Sequence, residues 1–308
     1  MRHVRMLGLC LVAVFAVAAL AATSAMALPE WGKCEAKAGG KYSDSNCTVK
    51  AAKGTGSFEW KKGKELKPVK FEGANVGSGG VLRSNFLHCT GGTYDAQRVS
   101  RAKCAEGGGV VEWAGEVSVE CESEHNTGEA AGANEVRNVQ VTFRGCKALG
   151  FAPCSNTPNE GEIQVNPLKG KLGYISKPAK EVGVLLEPGT KHGEFAKFSC
   201  LGIISTVVGV GNTKEGAYYL PEKTGGYDGI ISPITPVNTM TSKYTQVYAL
   251  NPTTYENIPS KFEGKHIELL EDYIYGQEEP ERNTNMWSPA GEEITNVNTP
   301  AEEGEIKA

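Results

Sequence analysis

Five glutamates lie between residues 112 and 124, and their spacing is the feature of this sequence best suited to acid–base chemistry. A glycosidase uses two carboxyl groups, about 5 Å apart in retaining enzymes and about 6.5–9.5 Å apart in inverting ones. Glu120 and Glu122 are two residues apart, which on one face of a strand separates their α-carbons by roughly 7 Å. An inverting pair is therefore geometrically possible, but a solvated strand face gives the same pattern and is the preferred interpretation. The five are Glu112, Glu116, Glu120, Glu122 and Glu124.

Other catalytic and cofactor signatures are missing from the sequence. It contains no Gly-x-Ser-x-Gly nucleophile motif, and its glycine-rich segment at residues 77–80 lacks the Lys-Ser/Thr of a phosphate loop. There is no Cys-x-x-Cys pair, and the histidines lack the spacing of metal ligands. We therefore predict no catalytic residue, no cofactor and no metal site, and we favour a protein that is not an enzyme. The histidines considered are His88, His125, His192 and His266.

Aromatic side chains offer a different chemistry, because flat rings beside polar groups can bind a glycan. Rings in a β-protein more often pack in the core or on a sheet face, and this is the preferred interpretation here. An extracellular glycan or protein remains the partner class to test. The candidate rings are Trp113, Tyr218, Tyr219, Tyr227 and Tyr244.

The amino terminus predicts export. Arg2 and Arg5 precede an uncharged apolar run at residues 6–20, and Ala25-Met26-Ala27 supplies small residues at a cleavage site. The run is about 15 residues long, short of the roughly 20 that a spanning helix needs. We predict a signal peptide at residues 1–27, a secreted or cell-envelope location, and no transmembrane segment in the mature chain.

The mature chain would have 281 residues, with 30 basic and 36 acidic side chains and a net charge of −6. This mildly acidic balance argues against a nucleic-acid partner, because such binding depends on neutralising phosphates with lysine and arginine.

Eight cysteines remain after cleavage, and an even number in an exported chain predicts disulfide bonds. Eight cysteines allow 105 connectivities, so every pairing is a hypothesis. The preferred short-range pairs are Cys34–Cys47, Cys89–Cys104 and Cys146–Cys154, and the preferred long-range pair is Cys121–Cys200.

Alternation of apolar and polar residues predicts half-buried antiparallel strands. Val139, Val141 and Phe143 alternate with Gln140, Thr142 and Arg144, and residues 117–122 show the same period. Many short segments of this kind, with 38 glycines and 15 prolines, predict an all-β fold, either an antiparallel sandwich or a barrel-like body.

The domain organisation is predicted from composition. Residues 28–80 are rich in glycine and lysine, and we expect a small cysteine-stapled lobe whose mini-core is Trp31, Phe58 and Trp60. Residues 81–275 form the main β domain. Residues 276–308 are acidic and rich in proline and asparagine, and we expect a tail with one possible edge strand.

Three segments give the chain a resemblance to a known group. They are Val-Gln-Val-Thr-Phe-Arg-Gly-Cys at residues 139–146, Gly-Glu-Ile-Gln-Val-Asn-Pro-Leu-Lys-Gly-Lys-Leu-Gly-Tyr-Ile at 161–175, and Ile-Ser-Pro-Ile-Thr-Pro-Val-Asn at 231–238. With them the chain resembles uncharacterised exported bacterial β-rich proteins over roughly residues 117–270. The Pro-Glu-Trp-Gly-Lys-Cys at 29–34 resembles a short module at the start of such proteins. The resemblance implies export and one β-rich domain, and it implies no catalytic residues.

The sequence supports two main functional hypotheses and a third, weaker one. The first is a secreted or envelope β-domain without catalysis, in a binding or structural role. The alternative is a secreted glycan-acting hydrolase that uses a carboxylate pair. The third is an inhibitor or adhesion module that presents the loop between Cys146 and Cys154.

Overall fold

The structure is a computed structural model that describes residues 27–91, 96–97, 108, 110–189, 193–210, 227–268, 270–275 and 288–308. In these residues the chain forms strands and one 3-10 turn at Gly63–Glu65, and one short pair of strands is parallel while the other pairs are antiparallel. Within the same residues, no helix has the length and apolar character needed to cross a membrane. The strands are β1 (Glu30–Gly40), β2 (Gly56–Lys62), β3 (Val69–Asn75), β4 (Val81–Thr90), β5 (Ala96–Gln97), β6 (Val110–Glu120), β7 (Ser123–Ala131), β8 (Glu135–Arg144), β9 (Lys147–Ala148), β10 (Ala152–Ser155), β11 (Ile163–Gln164), β12 (Leu168–Ser176), β13 (Glu181–Pro188), β14 (Glu194–Cys200), β15 (Ile204–Val210), β16 (Tyr227–Asp228), β17 (Ile230–Thr235), β18 (Tyr244–Leu250), β19 (Asn257–Ile258), β20 (Lys261–Phe262), β21 (Lys265–Glu268), β22 (Leu270–Tyr275), β23 (Ser288–Pro300) and β24 (Glu305–Lys307).

Eight antiparallel strands close a barrel, which we call the first ring. Its order is β3-β7-β8-β12-β13-β17-β18-β23, and β23 pairs back onto β3. Closure leaves no unpaired sheet edge within the ring, so the backbone groups that an open sheet would expose are hydrogen-bonded to neighbours. The predicted antiparallel all-β body is confirmed, in its barrel form.

Strand pairings also close a second ring of eight. Its order is β4-β6-β9-β10-β14-β15-β22-β23, again antiparallel throughout. The two rings share β23, whose amino-terminal half pairs in the second ring and whose carboxyl-terminal half pairs in the first. Two residues separate β6 from β7 and β8 from β9. The chain therefore crosses from one ring to the other at residues 121–122 and again at residues 145–146. We call the boundary between the rings at these crossings the joint.

The segments outside the predicted main domain take part in the barrel. Residues 28–80 supply β1 and β2 of a stapled three-stranded sheet, which β24 from residues 276–308 completes. They also contribute β3 to the first ring. Residues 276–308 contain β23, which has paired neighbours on both sides in each ring. β23 is thus a shared central strand where composition predicted an edge strand, because its inward asparagines made a buried strand look solvated.

The predicted mini-core of the amino-terminal lobe also needs correction. Trp31 is buried in the main core, where its ring packs edge-to-face on Tyr244 with centroids 5.9 Å apart. Phe58 and Trp60 are half-buried on β2. Trp31 packs in the main core because β1 pairs with β24. This pairing places Trp31 over the end of the first ring, beside Ile306.

Three disulfides occur among the described residues. Cys34–Cys47 is confirmed. The predictions Cys146–Cys154 and Cys121–Cys200 are wrong, because the structure pairs Cys121 with Cys146 and Cys154 with Cys200. Cys154 and Cys200 face each other across β10 and β14, and Cys121–Cys146 ties the two chain crossings at the joint. The predicted Cys89–Cys104 pair involves Cys104, which lies outside the described residues.

Candidate ligand-binding cavity

The interior of the rings contains a cavity of about 180 Å³. Strand alternation puts every second side chain of the first-ring strands inside, and residues from β4, β6, β14 and β15 extend the lining across the joint. Its lining is mostly apolar, but the polar side chains are not scattered. They lie on neighbouring strands, which divides the cavity into two walls of different chemistry.

The apolar wall is built by β8, β12 and β13. Apart from Glu135 at the start of β8, the residues with which they line the cavity are aliphatic or aromatic. The outward residues of β8 are polar and largely solvated. This is the alternation that the sequence shows at residues 139–144. Its members include Val139, Phe143, Leu172, Val184 and Leu186.

The polar wall is built by β7, β3, β23 and β18. β23 points Glu292, Asn296 and Asn298 inward on one face, since they occupy alternating positions. Gln246 lies opposite Asn296 in the β18–β23 register. Glu124 and Asn126 of β7 complete the wall on the other side of β3.

Hydrogen bonds connect part of this wall. The Asn298 amide nitrogen donates to Gln246 Oε1 at 2.6 Å, and Gln246 Nε2 donates to Ser232 Oγ at 2.8 Å. Asn126 Nδ2 donates to Glu124 Oε1 at 3.1 Å. The network is incomplete, because the Oδ1 atoms of Asn296 and Asn298 are buried without a hydrogen-bond partner. Both residues are 6% exposed, and burying an unpaired amide oxygen carries a free-energy cost.

Two carboxyl groups share the polar wall. Glu124 is 2% exposed, and its desolvation, opposed by the Asn126 amide and reinforced by the charge of Glu292, raises its pKa to about 8. Burial raises the pKa of Glu292 to about 7. Among the described residues neither carboxyl forms an ion pair with a lysine or arginine. Near neutral pH both groups therefore hold protons that ordinary glutamates have lost.

A glycine makes room for the polar wall. Gly73 of β3 lies between Asn298 of β23 and Asn126 of β7 in the strand register. A methyl group on its α-carbon would overlap Asn298 Oδ1 and come within 2.9 Å of both amide atoms of Asn126. A glycine inside a strand often marks such a close approach. Here it leaves space for both amide side chains above its backbone.

One end of the first ring is covered by the chain termini. Trp31 and Ile306 line the cavity from β1 and β24, and Tyr244 OH donates to the backbone oxygen of Gly304 at 2.7 Å. The indole of Trp31 covers Gly304 so closely that a side chain at that position would overlap the ring.

The glutamates singled out by their spacing fall on different sides of the barrel wall. Glu120 ends β6 and is exposed, and the side chain of Glu122 is 74% exposed and 3.6 Å from Lys147. Glu116 is bound by Arg83 and by the Tyr255 hydroxyl. Of the five, Glu124 alone among those with described side chains is buried, and the partner it meets, Glu292, is 168 positions away in the sequence.

The candidate glycan-binding rings do not form a described platform. Tyr244 is buried at 4% exposure against Trp31, so it belongs to the core. Tyr218 and Tyr219 lie outside the described residues, as do the side chains of Trp113 and Tyr227.

The loop between Cys146 and Cys154 is a hairpin with an apolar tip. Leu149 and Phe151 are 60% and 70% exposed, and the neighbouring turn between β14 and β15 exposes Leu201 and Ile203. The two turns adjoin, because Leu201 N donates to Pro153 O at 2.9 Å. The disulfide that holds this loop joins Cys154 to β14, instead of closing the loop on itself.

Comparison with known proteins gives no relative: no family model, no curated protein and no solved structure matches the chain. Functional inference therefore depends on the residues of the cavity.

Proposed function

We propose that the chain is an exported, non-catalytic binding protein that holds a small, largely apolar molecule inside its barrel. The observation that carries this proposal is the interior cavity, with an apolar wall facing a polar wall that has unused hydrogen-bond acceptors. Small-molecule sites have this composition, mostly apolar with a few converging polar groups that orient the ligand. A barrel built only for stability would gain by filling the space with side chains.

The size of the cavity limits the ligand. An apolar cavity of about 150 Å³ in another protein accepts benzene, so the 180 Å³ present here corresponds to roughly six to ten non-hydrogen atoms by the same measure. A substituted benzene or a short branched alkyl chain fits this range, and an oligosaccharide exceeds it.

The same features favour binding over the alternative of a glycan-acting hydrolase. A sugar carries a hydroxyl on almost every carbon, and burying these against Val139, Leu172 and Val184 would leave them without partners. Glu120 and Glu122 are exposed and are not among the residues that line the described cavity. A binding role without catalysis needs neither pair of carboxylates to act as acid and base.

Export is supported by the three disulfides, since such bonds persist in oxidising compartments. The proposal adds cleavage after Ala27, which gives a mature chain that starts at Leu28. Amino-terminal sequencing of protein from the culture medium or envelope fraction tests this step. A mature protein that retains residues 1–27 would contradict it.

Ligand binding is tested with neutral aromatic probes and a pair of matched variants. Benzyl alcohol is titrated into the mature protein and followed by protein-observed NMR and by thermal shift. Val139→Phe places a ring in the cavity, and Val247→Phe adds the same ring to the outer face of β18, where Val247 is 41% exposed. We expect Val139→Phe to weaken binding at least about tenfold and Val247→Phe to leave it unchanged.

The proposal fails if no small aromatic probe of this size, neutral or charged, binds the wild type. It fails equally if Val139→Phe is folded, by its dispersed NMR spectrum, and still binds as the wild type does.

A further inference from the structure

The polar wall contains hydrogen-bond acceptors that have no donor. Asn298 Nδ2 and Gln246 Nε2 are already donating within the wall, and Asn126 Nδ2 donates to Glu124. The two asparagine oxygens are unpaired, and no described residue places a cation beside the carboxyl oxygens of Glu292. These unpaired acceptors suit a ligand group that donates hydrogen bonds.

The charge of the lining is one-sided. Glu124, Glu135 and Glu292 line the cavity, and no lysine, arginine or histidine is among the described residues that do. The other titratable groups facing the two buried carboxyls are tyrosines. Tyr248, whose own pKa is raised by burial, is on β18, and Tyr244 is further along the same strand face. Structural buried carboxylates are usually paired with a cation, and this wall has none of its own.

We infer that the ligand is a small organic ammonium ion, with an apolar body against β8, β12 and β13 and its charged nitrogen against Glu124, Glu292 and the asparagines of β23. This inference rests on the proposed function, because it specifies the ligand of the same cavity. A primary ammonium has three N–H donors and no acceptor, which complements a wall of acceptors. A carboxylate of the same shape would bring more acceptors and a like charge.

Binding of an ammonium ion is linked to proton release. Near neutral pH the two carboxyls are largely protonated, and a cation beside them favours their ionised forms. The affinity for an amine therefore rises with pH through the range in which Glu124 and Glu292 titrate, as long as the amine stays protonated. A carboxylate ligand shows the opposite trend, because ionisation of the wall repels it.

The test uses three probes of similar size: benzylamine, benzyl alcohol and benzoate. Each is titrated into the mature protein by calorimetry at about pH 6 and about pH 8.5, so that the change spans the pKa values of both buried carboxyls. At the higher pH we expect benzylamine to bind at least about tenfold more tightly than benzoate, and benzylamine affinity to rise at least about threefold between the two conditions.

A double variant separates charge from shape. Glu124→Gln with Glu292→Gln preserves the volume of both side chains and removes their ionisation. We expect the preference of this variant for benzylamine over benzoate to fall below about threefold. Calcium chloride alone is titrated as well, because oxygen ligands also suit a hard metal ion.

The outcomes distinguish the two proposals. If none of the three probes binds, the proposed function fails. If benzyl alcohol binds but benzylamine binds no better than benzoate, the cavity is a ligand site and the ammonium inference is overturned. Retention of the amine preference in the double variant, or calcium binding that displaces benzylamine, overturns it too.

Discussion

The two walls of the cavity are made by strands of one barrel, but burial has opposite consequences for them. On β8, β12 and β13, burial removes apolar side chains such as Leu172 and Val184 from water and stabilises the fold. On β7 and β23, it desolvates Glu124 and Glu292 and leaves two amide oxygens unpaired. Burial of the apolar wall therefore stabilises the fold, while burial of the polar wall carries a free-energy cost that a ligand can offset.

The largest effect on stability is expected from shortening a side chain of the apolar wall. Leu172 is 6% exposed and packs in the main core, so Leu172→Ala removes buried methyl groups and enlarges the cavity. We expect the free energy of unfolding to fall by about 2–5 kcal/mol. Urea denaturation measures this, with an unchanged m-value.

Leu149→Ala is the control, because its side chain is exposed at a hairpin tip and we expect a change within about 0.5 kcal/mol. Equal losses in both variants would mean that the apolar wall contributes no special stability.

An effect of opposite sign is expected on the polar wall. Glu124 has a folded-state pKa of about 8, above the ordinary value of 4.5. The unfolded chain therefore loses this proton at lower pH than the folded protein does. The stability linked to this group is complete below about pH 4.5 and is lost as pH rises to about 8, by on the order of 1.4 kcal/mol per pH unit at most.

Glu124→Gln removes this ionisation. We expect the variant to be more stable than the wild type at about pH 8.5 and close to it at about pH 5, which makes its unfolding midpoint flatter with pH. Urea midpoints at both pH values measure the difference. A variant less stable than the wild type at the higher pH would show that the Glu124 carboxylate is stabilised by a partner.

The apolar wall could be predicted from the sequence, and the polar wall could not. Val139, Val141 and Phe143 alternate with polar neighbours, and all three line the cavity because side-chain direction in a strand has a period of two. Asn296 and Asn298 follow the same period, but asparagine is depleted in strands and seldom buried. The sequence of this segment therefore predicts an acidic tail with one possible edge strand.

The disulfides show a different limit of sequence reasoning. The Cys154 backbone nitrogen donates to Cys146 O at 3.0 Å, so the two residues predicted to be bonded are in fact neighbours. Their sulfurs are bonded to Cys200 and Cys121 instead. The fold places these four cysteines in one region, and the strand register decides which of them face each other. Their spacing along the sequence does not contain that register.

A moderate effect is expected at the glycine between the amides. Gly73→Ala would place a methyl group against Asn298 Oδ1 and Asn126, and these side chains must turn away. We expect overpacking to lower the unfolding free energy by about 1–3 kcal/mol. We also expect the substitution to lower the affinity for benzylamine more than the affinity for benzyl alcohol. The control is Val247→Ala on the outer face of β18. Another glycine such as Gly264 would not serve, because its backbone φ of +77° would be strained by any side chain.

The smallest effect is expected from the glutamates whose spacing first suggested catalysis. Glu120 and Glu122 are solvated, and the contact of Glu122 with Lys147 is an exposed ion pair of little energetic value. The double variant Glu120→Gln with Glu122→Gln should change the unfolding free energy by less than about 0.5 kcal/mol. It should also leave both the pH dependence of stability and the affinity for benzylamine as in the wild type. A loss of amine binding in this variant would place the cation site on the outer surface at the joint. In that case the difference between the two cavity walls would no longer explain what the protein binds.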